Sequence, residues 1–179
     1  MKVLKVVGMG FVGLVGVLVA AAYVLPRQVD VERSIVIAAE PDEIFPYLNS
    51  LKNFNVWSPW ADLDPDTVYV FTGPEFGVGA KSDWSSAHPQ VGAGSQEITE
   101  SQLNTLVRTR LDFGSEGLAE GYYMLTRVDT GTEVVWGFHS DMGNNPVARY
   151  MGLMMDTWVG GDFARGLDRL KSLVEEGEV

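Results

Sequence analysis

The stretch from Asn145 to Val179 leaves this chain few ways to fold. Pro146 can open a helix, because a residue in the first turn has no intrahelical use for its N–H. Asn144 or Asn145 supplies an N-cap. Apolar residues then recur at Val147, Tyr150, Met151, Met154, Trp158, Phe163, Leu167, Leu170 and Val174. Steps of three and four dominate, so most of them fall on one helical stripe. Past Phe163 the opposite face carries Asp162, Arg165, Asp168, Arg169 and Lys171, a solvated surface. A helix of about thirty residues runs roughly 45 Å at 1.5 Å per residue. It cannot bury itself, so something broad must cover its apolar side. Gly152, Gly160, Gly161 and Gly166 lie inside this helix, each costing roughly 1 kcal/mol relative to alanine. They predict either a kink at Gly160-Gly161 or the close approach of another backbone or a bound molecule, against the plainer reading of packing alone. The cluster Met151, Met154, Met155 and Trp158 suits an adjustable apolar pocket and suits an ordinary core almost as well.

The covering surface is legible upstream. Val31, Arg33, Ile35 and Ile37 alternate with Glu32, Ser34 and Val36 as in a strand. Pro41-Asp42-Glu43 marks a helix start, with Ile44, Phe45, Leu48 and Leu51 as its apolar face. A second short turn over 51–54 leads into Asn55-Val56-Trp57-Ser58-Pro59-Trp60, a structured loop. Six strands are expected over 68–72, 80–85, 95–102, 105–113, 121–128 and 132–140, separated by glycine-rich turns. Leu103-Asn104 reads as a two-residue hairpin. Val107, Thr109, Leu111 and Phe113 share one face, and Arg108, Arg110 and Asp112 the other. Such alternation is that of an antiparallel sheet covered on one side, and the long C-terminal helix is the cover.

At the other end, Val6 to Leu25 is twenty residues without a charge, which matches the roughly 30 Å hydrocarbon core of a bilayer. Lys2 and Lys5 precede it, Pro26 ends it, and Tyr23 sits where an interfacial aromatic belongs. The run exceeds the usual core of about 7–15 residues of a signal peptide. An uncleaved single-pass anchor is therefore expected, the alternative being secretion after cleavage near Ala20-Ala21-Ala22. Lys2 and Lys5 are almost evenly balanced by Arg27 and Arg33 on the far side. The early lysine pair on a short tail leads to the expectation of a cytoplasmic N-terminus with the domain outside. The resulting organisation is a tail over 1–5, an anchor over 6–25, a linker over 26–30 and one domain over 31–176.

Charge and composition exclude several function classes. Without Lys2 and Lys5, 11 basic residues face 24 acidic ones, a net charge of −13 beyond Pro26. That surface disfavours nucleic acid and adsorption to anionic headgroups, so membrane attachment rests on the apolar helix. There is no cysteine, which removes disulfides and thiol chemistry, and two histidines cannot build a histidine-rich metal site. His139-Ser140-Asp141 is no triad, because strand neighbours point to opposite faces. His139 and Asp141 share a face, the one opposite Trp136 and so the solvent side. Gly8-x-Gly10-x-x-Gly13 lies inside the apolar run with no βαβ unit after it, so it is not a dinucleotide motif. Asp62, Asp64 and Asp66 lack the glycine and glutamate of an EF-hand. No catalytic residue, metal ligand or cofactor is assigned.

The order strand, two short helices, six strands and long helix resembles the helix-grip, or START-like, fold of α+β class. Within it the chain is similar to the SRPBCC superfamily's polyketide cyclase/dehydrase and lipid-transport branch. The resemblance is carried by Pro41-Asp42-Glu43-Ile44-Phe45, Trp57-Ser58-Pro59-Trp60, Gly92-Ala93-Gly94-Ser95-Gln96-Glu97-Ile98, Gly131-Thr132-Glu133-Val134-Val135-Trp136 and Gly161-Asp162-Phe163 with Leu167, Leu170 and Lys171. It implies a curved antiparallel sheet gripping the last helix around a hydrophobic cavity that takes a lipid or another apolar small molecule. Inward candidates under that resemblance are Trp57, Trp60, Phe71, Trp84, Tyr123, Trp136, Met151, Met154 and Trp158, each of which core packing alone would also explain. Three functions stay open: a membrane-anchored carrier or sensor of an apolar ligand, a cyclase- or dehydratase-like enzyme, and a protein-interaction scaffold.

Overall fold

A computed structural model describes residues 13–177. The chain forms helix α1 over residues 13–22, strand β1 (Gln28–Ile37), helices α2 (Pro41–Leu48) and α3 (Leu51–Trp57), and strands β2 (Val68–Thr72), β3 (Lys81–Ser85), β4 (Ala93–Gln102), β5 (Leu106–Asp112), β6 (Leu118–Val128) and β7 (Gly131–Asp141). Helix α4 (Pro146–Glu176) closes it. The seven strands make one curved antiparallel sheet in the order β1-β7-β6-β5-β4-β3-β2. Strands β2 to β7 each pair with their neighbours in the chain. Strand β1 instead lies beside β7 along its whole length, from Gln28 opposite Asp141 to Ile37 opposite Thr132.

Local chemistry sets the element ends. Glu43 accepts from the Glu40 amide at 2.8 Å, tying the entry of α2. Ser50 caps α3 through the Asn53 amide. The side-chain oxygen of Asn145 accepts from Val147 N at 2.9 Å, and Gly177 ends α4 in the left-handed region at φ 64°. The β4–β5 connection corrects the two-residue expectation. Gln102 pairs with Leu106, so the loop has three residues, and Asn104 takes φ 59° in it. The stretch expected as linker is also shorter, since pairing with β7 already begins at Gln28.

The core lies between the sheet and the second half of α4. Phe163, Leu167, Leu170 and Leu173 are buried in one cluster with Val31, Ile37, Val107 and Val134, and Ile44 and Leu48 of α2 join it. The helix runs unbroken from Pro146 to Glu176, so no break occurs at Gly160-Gly161. Close approach explains three of the four glycines, Gly161 having only an ordinary contact with Arg165 at 3.9 Å. A Cβ at Gly160 would overlap the Arg33 guanidinium, and one at Gly166 would sit 2.7 Å from the Trp136 ring and 3.1 Å from Pro59. A Cβ at Gly152 would press on Val29 and Met142.

Arg27 and Asp141 fasten the start of β1 to the end of β7. The Arg27 Nε donates to Asp141 at 2.6 Å, and the Gly143 amide donates to the same carboxylate at 2.8 Å. These donors hold the Asp141 carboxyl down at about 2. A depressed carboxylate pKa adds stability above the unfolded-state value and loses it as pH falls through the folded one. Asp141→Asn is therefore expected to flatten the acid loss of stability between about pH 4 and pH 2. Urea midpoints measured across that window check this, and an unchanged slope would show that the pair does nothing for stability.

Candidate functional site

The inner face of the sheet meets α3 and α4 in a continuous aromatic cluster. Trp136 from β7 stacks on Phe163 from α4 with ring centroids 3.9 Å apart, and Trp57 packs edge-on to Trp136 at 5.1 Å. Phe54, Trp60 and Tyr123 complete the group at 5.8, 5.8 and 5.6 Å from Trp136. Edge-to-face contacts of this kind follow from the ring quadrupole. The indole N–H groups of Trp57 and Trp60 are satisfied at the rim. Trp57 donates to the Tyr47 carbonyl at 3.2 Å, and Trp60 donates to Asp162 at 3.1 Å. Arg169 clamps the following loop, donating to the Ser58 carbonyl at 3.0 Å and pairing with Asp62.

Beside the aromatics the sheet carries a small neutral polar set. Gln96 on β4 donates to the Thr109 hydroxyl on β5 at 3.2 Å, and both are buried. The Tyr123 phenol on β6 lies against the Gln96 amide. Burial pushes that phenol far above the ordinary tyrosine range, so it remains a neutral hydroxyl. Gly121 leaves space over Thr109, where a Cβ would come within 2.7 Å of the hydroxyl. Among the described residues no group of three metal-ligating side chains converges. Arg149, in the first turn of α4, is the charged side chain among the buried residues described.

The sequence candidates divide accordingly. Trp57, Tyr123 and Trp136 are buried in the cluster, and Trp60 is half-buried at its edge. Trp84 packs elsewhere: it lies over Gly94, meets Phe113 edge-on at 6.0 Å and donates to the Val91 carbonyl. Phe71 is exposed on the edge strand β2, stacked on Tyr69. Met151, Met154 and Trp158 do not line the interior at all, Trp158 being 48% exposed. The first four turns of α4 turn their inward side to the edge strand β1, with Gly152 against Val29 and Gly160 against Arg33, and leave these three residues on the outward side. His139 sits on the outer face with its Nδ1 2.6 Å from Asp30, while Asp141 is taken by Arg27, so the two form no acid/base pair. Tyr122 on that outer face is pushed up to about 12, first by burial and then by its bond to Glu32.

Sequence reasoning missed Gln96 and Arg149. Gln96 was findable, because it shares strand parity with the inward Ile98. Arg149 had no local signal.

The described concavities lie outside the cluster. One of about 130 Å³ lies between Leu51, Lys52, Phe71 and Ala80, and one of about 190 Å³ lies between Val29, Asp30, Arg149 and Leu153. Both are smaller than the roughly 300–1,000 Å³ of drug-sized ligand sites.

A single antiparallel sheet gripping a long C-terminal helix over an aromatic interior defines a helix-grip domain. The sequence pattern of the family described as polyketide cyclase/dehydrase and lipid transport matches residues 28–175, and the chain belongs to that family. The Aha1 dimer from Colwellia psychrerythraea is similar at 20% identity and a TM-score of 0.56, over 84% of this chain and 99% of that one. The di-domain ARO/CYC StfQ from the steffimycin biosynthetic pathway is similar at 13% identity and a TM-score of 0.62, over 84% of this chain and 51% of that one. A protein of unknown function from Staphylococcus aureus has 12% identity and a TM-score of 0.63, over 84% and 95% of the two chains. At these identities the likeness is one of fold. No curated protein matches the chain.

Proposed function

We propose that the chain is a membrane-anchored helix-grip domain that carries or senses a neutral, mostly apolar small molecule or lipid, without chemistry on it. One observation carries this reading. The interior holds the aromatic cluster around Trp136 and a neutral Gln96–Thr109–Tyr123 set, which suits a ligand with a large apolar body and one or two polar atoms. A cyclase or dehydratase would place two or more titratable groups around the ligand. Within that set Tyr123 alone titrates, and it stays protonated. Because the interior is filled, a lipid-sized ligand enters by displacing side chains of the cluster.

Anchoring rests on the uncharged run over 6–25 and on the exposed apolar residues Leu14, Val17, Leu18 and Val19 of α1. Among the described residues no helix is long and apolar enough to cross a membrane, and 6–12 of the expected anchor lie outside them. The proposed orientation keeps the N-terminus in the cytoplasm and the domain outside. Full-length protein is expected to stay with membranes through carbonate washing. Organic extracts of the purified protein are expected to contain an apolar compound in near-stoichiometric amount by mass spectrometry, reduced several-fold in Trp57→Ala. Equal extracts from both proteins would sink the ligand reading, and release by carbonate the anchor.

A further inference from the structure

Helix α4 begins as one kind of surface and ends as another. Val147, Met151, Met154 and Trp158 follow in steps of four, three and four, so they form one stripe. All four are exposed, by 65, 50, 48 and 48%. After Trp158 the outward side turns charged, with Arg165 and Asp168 on it and Asp162 paired to Arg165. The acid within the first four turns, Asp156, is drawn aside by Arg33 of β1 at 2.9 Å. The stripe is therefore apolar, free of acid and uncovered by the sheet.

Its first turn is bound to α1. Arg149, 8% exposed, donates through Nη1 to the carbonyls of Ala22, Tyr23 and Leu25 at 3.4, 3.2 and 3.5 Å, and through Nε to Gly143 at 3.0 Å. A cation over the last carbonyls of a helix satisfies groups with no intrahelical partner. Tyr150 reaches further and donates to the Leu18 carbonyl at 2.8 Å. Leu18 lies about 6 Å inside the end of α1, counting 1.5 Å per residue back from Ala22. Ala22 itself is fully buried. The start of α4 is thus locked beside the last apolar turn of α1, at the level where an anchor leaves the bilayer.

We infer that the first four turns of α4 are a second membrane contact, with Val147, Met151, Met154 and Trp158 set into the headgroup–acyl boundary beside α1. This rests on the anchoring proposed above. The occupant is lipid because the turn that begins the stripe is fastened, by Arg149 on its buried side and by Tyr150, to α1, whose own outer residues Leu14, Val17 and Leu18 are exposed and apolar. Trp158 stands at the boundary between the apolar and charged portions, as interfacial indoles do. With a net charge of −13 beyond Pro26, the contact is made by apolar burial and not by attraction to anionic headgroups. The domain is then held flat by two points and cannot swing freely on a single tether.

The chain has no cysteine, so single labels test this directly. Full-length Val17→Cys, Met154→Cys, Trp158→Cys and Leu103→Cys, the last at the tip of the β4–β5 loop, would carry an environment-sensitive fluorophore in phosphatidylcholine vesicles. Labels at 17, 154 and 158 are expected to shift to the blue and to be quenched by nitroxide lipid, unchanged in 1 M salt. The label at 103 should respond to an aqueous quencher alone. Labels at 154 and 158 that behave like 103, with 17 still in lipid, overturn the second contact and leave the anchor standing. A label at 17 in water overturns both. Labels at 154 and 158 shielded from both quenchers, with the unlabelled Trp158→Cys protein forming disulfides between molecules, overturn the inference in favour of a second copy of the chain on the stripe.

Discussion

Trp136→Ala is expected to lower the unfolding free energy by about 3–5 kcal/mol, the range for deleting a large aromatic from a packed core. Trp136 is 4% exposed and touches Phe54, Trp57, Trp60, Tyr123 and Phe163. These come from α3, the loop after it, β6 and α4, so the ring joins every layer of the domain. Little can collapse into the gap, because Phe163 is fixed on α4 and Trp57 is held by its bond to the Tyr47 carbonyl. Urea unfolding of the full-length protein in a mild detergent, followed by far-UV circular dichroism, gives the value. A loss below about 1.5 kcal/mol, the range of a well-tolerated core swap, would mean that the interior is loosely filled.

Gly166→Leu is expected to cost about 3 kcal/mol, the upper part of the range for overpacking. In an exposed helix the change would help, since glycine is about 1 kcal/mol worse than a good helix former. Here a Cβ would stand 2.7 Å from the Trp136 ring and 3.1 Å from Pro59, and neither a stacked indole nor a proline ring can step aside. The sign should therefore depend on Trp136. In the Trp136→Ala background the leucine has a cavity to enter, and Gly166→Leu should become neutral or stabilising. Such neighbours are where additivity fails. Four urea curves complete the cycle, and equal costs in both backgrounds would show that Trp136 is not what requires glycine at 166.

What sequence reads correctly here is set by neighbours along the chain. The alternation of Val107, Thr109 and Leu111 places them on the inner face, because strand parity is local. Pro146 behind Asn145 opens the long helix, because a cap needs only the next few amides. Trp57, Tyr123 and Trp136 stand out as interior candidates, and all three are buried. The misplaced residues share a cause. Met151, Met154 and Trp158 read as inward because steps of three and four join them into one apolar face, yet the step of five to Phe163 turns the helix by about 140°, so the buried Phe163, Leu167 and Leu170 lie on the opposite face.

Only the tertiary structure decided which face is covered. The deepest core meets α4 after Gly160, while before it the inward side of the helix carries Arg149, Gly152 against Val29 and Gly160 against Arg33, beside the half-buried Met155 and Val159. Small and charged residues would not be chosen as core by hydropathy. They are buried here because an edge strand and the end of α1 press close, and a guanidinium can bind carbonyls that a hydrocarbon cannot. Hydropathy and spacing determined the elements, their order and the family. Which half of the last helix is core and which is left apolar and open was determined by where the strands end in space, and no local run of residues carries that length.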